Sequence, residues 1–396
     1  MTPGGRIAAA IEILDAIIAP PAGPGAHADH ALRDWGRRHR FAGAGDRRAI
    51  ADLVYGGLRR RRSLGWRLGE SGRGLMLALA AESGSLAWFS GEGHAPPEPS
   101  DDERAALALA GPPDAAVALD CPAWLESRLR TDLGAAFVPV MLALQQRAPL
   151  HLRVNRLKTD RTRAIRALAQ DHITAVPLDE DPDALAVVDG ARLLRRAAAF
   201  ATGVVEVQDL SSQRVARLAR AAPGEILLDY CAGGGGKALA FAAHQGGQGQ
   251  IFAHDAAPAR MGDLPERAKR AGARVALCPP AALPRSCECV FVDAPCSGSG
   301  AWRRNPDAKW TLSAADLERL EATQSRILDA AAAHVGIGGR LVYATCSILR
   351  SENEAQIGAF LDRQPGFDVI DTLRLLPDGP GDGFFAAEMR RFSPSG

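Results

Sequence analysis

From about Val204 onward the chain repeats one pattern, a short apolar run, a turn-rich break and a helical stretch. The runs are EILLDY, QIFAHD, RVALC, ECVFVDA, GRLVYAT and FFAAEMRRF. Strands that alternate with helices predict a doubly wound, mostly parallel sheet covered by helices on both faces, an α/β fold. Upstream the texture differs. LHLRVNRL and ALAVVDG are strand-like and flank the helical RTRAIRALAQDH, which suggests a small α+β module. Residues 6–80 are helical in pattern, with Ile50, Leu53, Val54 and Leu58 near three- and four-residue spacing. SGEGHAPPEPSDDE reads as a linker. The expected organisation is an all-α region over 1–118, a helical linker with the small module over 119–203, and the wound sheet over 204–396.

At 396 residues the chain has length for two or three domains, and 47% hydrophobic with 23% charged residues is a globular composition. No apolar run is long enough for a membrane span. RIAAAIEILDAIIAP carries Glu12 and Asp15 within its apolar stretch, so it reads as an amphipathic core helix and not as a secretion signal. The seven cysteines are then expected as free thiols in a reducing cytoplasm. Cys278, Cys287 and Cys289 match no common zinc spacing, and no metal is expected.

Net charge is only +1, yet residues 33–73 hold twelve Arg against four acids, with Arg59, Arg60, Arg61 and Arg62 consecutive. Such a run is either a solvated helix face or a phosphate-contacting patch, because guanidinium forks match phosphate oxygens.

Leu227–His244 reads LLDYCAGGGGKALAFAAH, an apolar strand ending in an acid, four glycines, then a helix starting near Lys237. Glycines let a ligand approach the backbone, and a helix N-terminus favours negative charge. Lys237 is not followed by Ser or Thr, which argues against a phosphate-binding P-loop. Asp255 closes the next strand, 22 residues after Gly233, where a carboxylate can accept from ribose hydroxyls. Together these features fit an adenosine-containing cofactor.

Cys296 in FVDAPCSGSG and Cys346 in LVYATCS both follow apolar runs, in polar turn-like sequence. In a doubly wound sheet that is the ligand-binding edge; the plainer alternative is a pair of buried small hydrophobes. Methylating carbon 5 of a pyrimidine gives two such thiols a use. The ring carbon is too electron-poor to attack a methyl sulfonium until a thiolate adds at carbon 6, and a base must later remove the carbon 5 proton so that the thiol can leave. The residues alone do not say which cysteine attacks.

DYCAGGGGK, DAPCSGSGAWRRNPDAKW and YATCS resemble the RNA 5-methylcytosine methyltransferases of the RsmB/NOL1/NOP2/Sun group, and LRVNRLKT, VQDLSSQRVA, SENEAQIGAFL and DGFFAAEMRR resemble its flanking segments. The resemblance covers about residues 120–392. It implies a Rossmann-like class I methyltransferase domain that uses S-adenosylmethionine, with Cys346 as nucleophile, Cys296 assisting product release, and Asp293 and Lys237 contacting the target base. It also implies cofactor contacts from Cys231, Ala232, Gly233, Gly234, Gly235, Gly236, Lys237, Asp255, Arg260 and Asp293. The N-terminal AGDRRAIADLVYGGLRRRRSLGWRL resembles the NusB-like RNA-binding domain of bacterial members that modify ribosomal RNA, which assigns Arg59–Arg62 to RNA. Arg303, Arg304, Asn305, Asp307 and Trp310 would line the RNA groove.

Two departures stand out. The group usually has Ala-Pro where this chain has Gly233-Gly234, and RVALC lacks the acid that commonly follows near the adenine. The expected activity is RNA cytosine-5 methylation. A DNA cytosine-5 enzyme would share Pro-Cys without the paired Thr-Cys. An RNA-binding ribosome-assembly factor with a decayed methyltransferase site is the alternative from another class.

Overall fold

The computed structural model describes residues 1–18, 28–109 and 114–393. Two compact units are present. The first is Met1–Arg147 with Trp302–Ser313, and the second is Ala148–Ala301 with Ala314–Gly396.

The first unit is helical. Pro3–Ile18 and Ala44–Arg59 carry apolar side chains at helical spacing, and Ile7, Ile13, Leu14, Ile50, Val54 and Leu58 form one core with Leu75 and Met76 of Gly72–Glu82. Glu12 lies on the outer side of its helix, and no described helix is long and apolar enough to cross a membrane. The helical segments over Ala123–Gln145, expected in the middle region, fall within this unit.

The second unit holds two sheets. β1 (Leu150–Val154), β2 (Thr174–Pro177), β3 (Ala184–Asp189) and β4 (Val205–Val207) form an antiparallel sheet in the order β2-β3-β1-β4. One face, through Leu152, Val154, Leu185 and Val205, packs on Ala164 and Leu168 of the helix Arg161–Gln170. β4 lies just past residue 204, where the wound-sheet region was expected to begin, but it pairs with β1. Three residues carry no pattern that says which sheet they will join.

The larger sheet comprises β5 (Ile226–Asp229), β6 (Gln250–Ala253), β7 (Ala276–Leu277), β8 (Cys287–Asp293), β9 (Val335–Thr345), β10 (Phe367–Leu375) and β11 (Phe384–Arg391). Its order is β10-β11-β9-β8-β5-β6-β7. Alternate residues feed opposite cores. Leu228, Val290, Val292, Leu341, Tyr343, Phe385 and Met389 pack on one face, and Leu227, Cys289, Phe291, Val342, Ala344, Phe384 and Ala386 on the other. Burial on both faces is the condition under which parallel strands become near-continuous apolar runs.

β5 to β9 are parallel, whereas β10 and β11 form an antiparallel hairpin added beside β9. β10 has no counterpart in the sequence reading, because most of its residues are exposed or half-buried at the sheet edge and give no apolar run. From β5 the chain runs to β6 and β7 on one side and then returns to β8 and β9 on the other. The order therefore reverses between β5 and β8, and a ligand crevice is expected beyond their carboxyl ends.

Candidate active site

The loop after β5 leads into the helix Gly236–His244, with Gly233 at φ +50 and Gly235 at φ +77. A side chain at Gly235 would run into Leu264 as well as strain the backbone. Gly233 N donates to Asp255 Oδ2 at 3.0 Å, Arg260 Nη1 donates to the same oxygen at 3.0 Å, and Ala257 N donates to Oδ1 at 2.9 Å. Asp255, buried just past β6, thus ties the glycine loop to the neighbouring turn. These residues set a glycine loop at a helix N-terminus, which fits the polar tail of an adenosine-containing donor.

Lys237 Nζ donates to Asp293 Oδ2 at 2.6 Å, joining the loop after β5 to the end of β8. Burial alone would lower the Lys237 ammonium, but Asp293 and Asp229 hold it above its ordinary value. Asp229 is fully buried and neither carboxylate oxygen has a hydrogen-bond partner. Burial, reinforced by Asp293, pushes its carboxyl up to about 7. Burial, with Asp229, Asp293 and Asp255 adding to it, also pushes the Cys231 thiol far up.

Cys296 and Cys346 meet. Their Sγ atoms are 3.4 Å apart, and both are half-buried. The hydrogen bond to Cys346, followed by burial, holds the Cys296 thiol well above its ordinary pKa. The two loops that carry them are joined by backbone, Gly300 N to Cys346 O at 2.9 Å.

Beneath the thiols lies a polar network whose centre, Glu352, sequence reasoning missed. Its buried carboxylate accepts from Ser297 N at 2.8 Å, Ser297 Oγ at 2.5 Å, Gln324 Nε2 at 3.0 Å and the Ser347 hydroxyl. Ser299 Oγ lies 3.0 Å from Ser347 Oγ and accepts from Ile348 N at 3.0 Å. Thr345 Oγ1 donates to Asn353 Oδ1 at 2.6 Å, and Asn353 Nδ2 donates to Ser347 O at 2.9 Å. One carboxylate therefore takes donors from the residues that follow each cysteine. The serines in CSGSG and TCS and the acid in SENE were visible, but their partnership required the fold.

The expected arginine patch is engaged inside the helical unit. Arg60 pairs with Glu82 at 2.6 Å and Arg61 with Glu70 at 2.6 Å, while Arg62 donates to Cys121 O and Arg59 Nε donates to Arg303 O at 2.7 Å. Arg303 is buried, and Lys309 and Trp310 donate to Arg59 O and Leu58 O at 3.1 and 2.6 Å. Arg304 is half-buried. The segment expected to line an RNA groove is thus largely a packing element of the helical unit. Cys287 and Cys289 are core residues of β8, with burial raising their thiols to about 11 and about 12.

With this geometry in hand, likeness to known proteins is specific. Residues 216–390 match the family described as 16S rRNA methyltransferase RsmB/F, and residues 121–192 match the RsmF/B-like ferredoxin-like domain. A protein named ribosomal RNA small subunit methyltransferase B from Pectobacterium carotovorum is 35% identical over 68% of this chain and 66% of its own length. One of the same name from Xylella fastidiosa is 36% identical over 68% of each. The matched region thus spans about two thirds of the length of these relatives. Among solved structures, PH0851 is 24% identical, covers 99% of both chains and superposes with TM-score 0.76. NSun6 from Pyrococcus horikoshii with SFG is 18% identical over 69% of this chain and 98% of its own, with TM-score 0.62. These two establish likeness of fold, a Rossmann-like methyltransferase architecture. The chain belongs to the RsmB/F methyltransferase family.

Proposed function

We propose that the protein is an S-adenosylmethionine-dependent RNA cytosine-5 methyltransferase acting on small-subunit ribosomal RNA. The observation that carries this reading is the pair of thiols 3.4 Å apart at the carboxyl ends of β8 and β9, with the Lys237–Asp293 pair at the end of β8. Methylation of an amino group or a ribose needs no thiol at all.

Cys346 is assigned the attack. Its sulfur forms a bond to carbon 6, and the electron pair of the carbon 5–carbon 6 double bond makes carbon 5 nucleophilic. S-adenosylmethionine, when bound, supplies the electrophilic methyl group. Asp293 orients the base through its amino group and ring nitrogen, and Lys237 holds that carboxylate in place. A base then removes the carbon 5 proton, the carbon 6–sulfur bond breaks, and its electron pair returns to Cys346. Cys296 is assigned to assisting this release, since its thiol lies 3.4 Å from Cys346 Sγ and, holding its own proton, can hydrogen-bond the departing Cys346 thiolate. The glycine loop Gly233–Gly236, with Asp255 and Arg260, is assigned to the donor.

The test is transfer of labelled methyl groups to unmodified small-subunit ribosomal RNA, followed by bisulfite sequencing. One protected cytosine is the expected result. RNA binding without methyl transfer under any condition would replace this reading with the assembly-factor one.

A further inference from the structure

Four successive glycines give the loop after β5 little stiffness of its own, so its conformation depends on what packs against it. They have the greatest backbone freedom to lose on ordering. Three side chains spaced by four and three residues, Arg260, Leu264 and Arg267, lie against it. Arg260 stands beside Gly233, Leu264 fills the space at Gly235, and Arg267 Nη1 would be 3.1 Å from a side chain at Gly234. Arg267 also donates from Nη1 to Gly234 O and from Nη2 to Glu206 Oε2, the latter at 3.0 Å.

Glu206 sits in β4 of the small sheet and is buried, with Arg270 as its second partner. A buried carboxylate flanked by two guanidiniums is a stiff anchor, because moving either arginine would strand charge out of water. The planar fork of Arg267 spans the anchor and the loop carbonyl at once, which a lysine ammonium cannot do with the same geometry.

We propose that Arg267, braced by Glu206, is a positioning residue for the methyl-donor loop, supplying from outside the rigidity that four successive glycines lack. The inference rests on assigning that loop to the donor. It gives the small antiparallel sheet a part in donor binding, since its β4 supplies the anchor.

Titration calorimetry with S-adenosylhomocysteine and sinefungin tests it on the full chain, alongside hydrogen exchange of the Cys231–Lys237 segment. Arg267→Ala should bind both ligands about tenfold more weakly, the scale of one charge-assisted hydrogen bond. The loop should exchange faster, while RNA affinity stays unchanged. Arg267→Lys, which keeps the charge against Glu206, should fall between, and it serves as the test if the alanine variant does not fold. Ligand affinity within twofold of the parent and unchanged loop exchange would overturn the role of Arg267 and leave the donor assignment standing. Failure of the parent itself to bind either ligand at millimolar concentration would overturn the donor assignment and this inference with it.

Discussion

Cys296 Sγ and Cys346 Sγ lie 3.4 Å apart although 50 residues separate them in the chain. β8 and β9 are neighbours in the sheet, and backbone bonds between their loops carry that adjacency on to the thiols. Sulfurs at this distance can share one proton, and the roles assigned above predict different failures when each is removed.

Cys346→Ala should abolish methylation and form no covalent complex with RNA, since carbon 5 is never activated. Cys296→Ala should still bond to RNA and transfer the methyl group, then release product slowly. A protein–RNA band should persist on a denaturing gel. The opposite assignment of the band would exchange the two roles while keeping the chemistry, and full activity in both variants would remove the thiols from the mechanism.

Glu352→Ala should cost about 3 kcal/mol of stability, because it leaves Ser297 N–H and the Gln324 amide without their buried acceptor. Methylation should fall on the order of 100-fold if the thiols lose their register. Glu352→Gln, which keeps one acceptor oxygen, should be milder on both counts. Denaturant midpoints and single-turnover rates measure the two effects. A fully active alanine variant would show that backbone pairing alone holds the thiols.

Asp229 links folding stability to pH. Near its ordinary value of 3.8 the unfolded chain gives up the proton, whereas the folded chain keeps it until about 7. Stability contributed by this residue is therefore fully present below pH 3.8 and is lost as pH rises to about 7, at no more than about 1.4 kcal/mol per pH unit. In Asp229→Asn that decline should disappear, which urea titrations at several pH values would detect. Identical pH profiles for parent and variant would show that Asp229 titrates alike in the folded and unfolded chains.

Arg60 and Arg61 already hold carboxylates, so replacing both with Gln should destabilise the helical unit slightly, by about 1 kcal/mol or less. The slope of RNA affinity against salt should change by less than one phosphate contact. A slope flattened by about two would mean that both guanidiniums leave Glu82 and Glu70 to meet phosphates. Filter binding across a salt series separates the outcomes.

What the sequence determined by itself was periodic or local. Leu227–Asp229 followed by glycines and a helix can be seen in a window of 18 residues, because an apolar strand, a turn and a helix start each leave a signature within a few positions. The two cysteine motifs stood out for the same reason, each just past an apolar run. Partnership over long separations left no such trace. Glu352 serves Ser297 from 55 positions away, and Arg267 reaches back 33 positions to Gly234. Arg59–Arg62 looked like a phosphate patch because charge density is local, while Glu70, Glu82 and the Cys121 carbonyl that engage them are brought in by helix packing. Likewise β4, three residues long, left no apolar run to mark it as a strand, and its pairing with β1 is set by the fold. Only the closed tertiary structure decides such pairings, since each group's partner is set by burial and geometry and not by its neighbours in the chain.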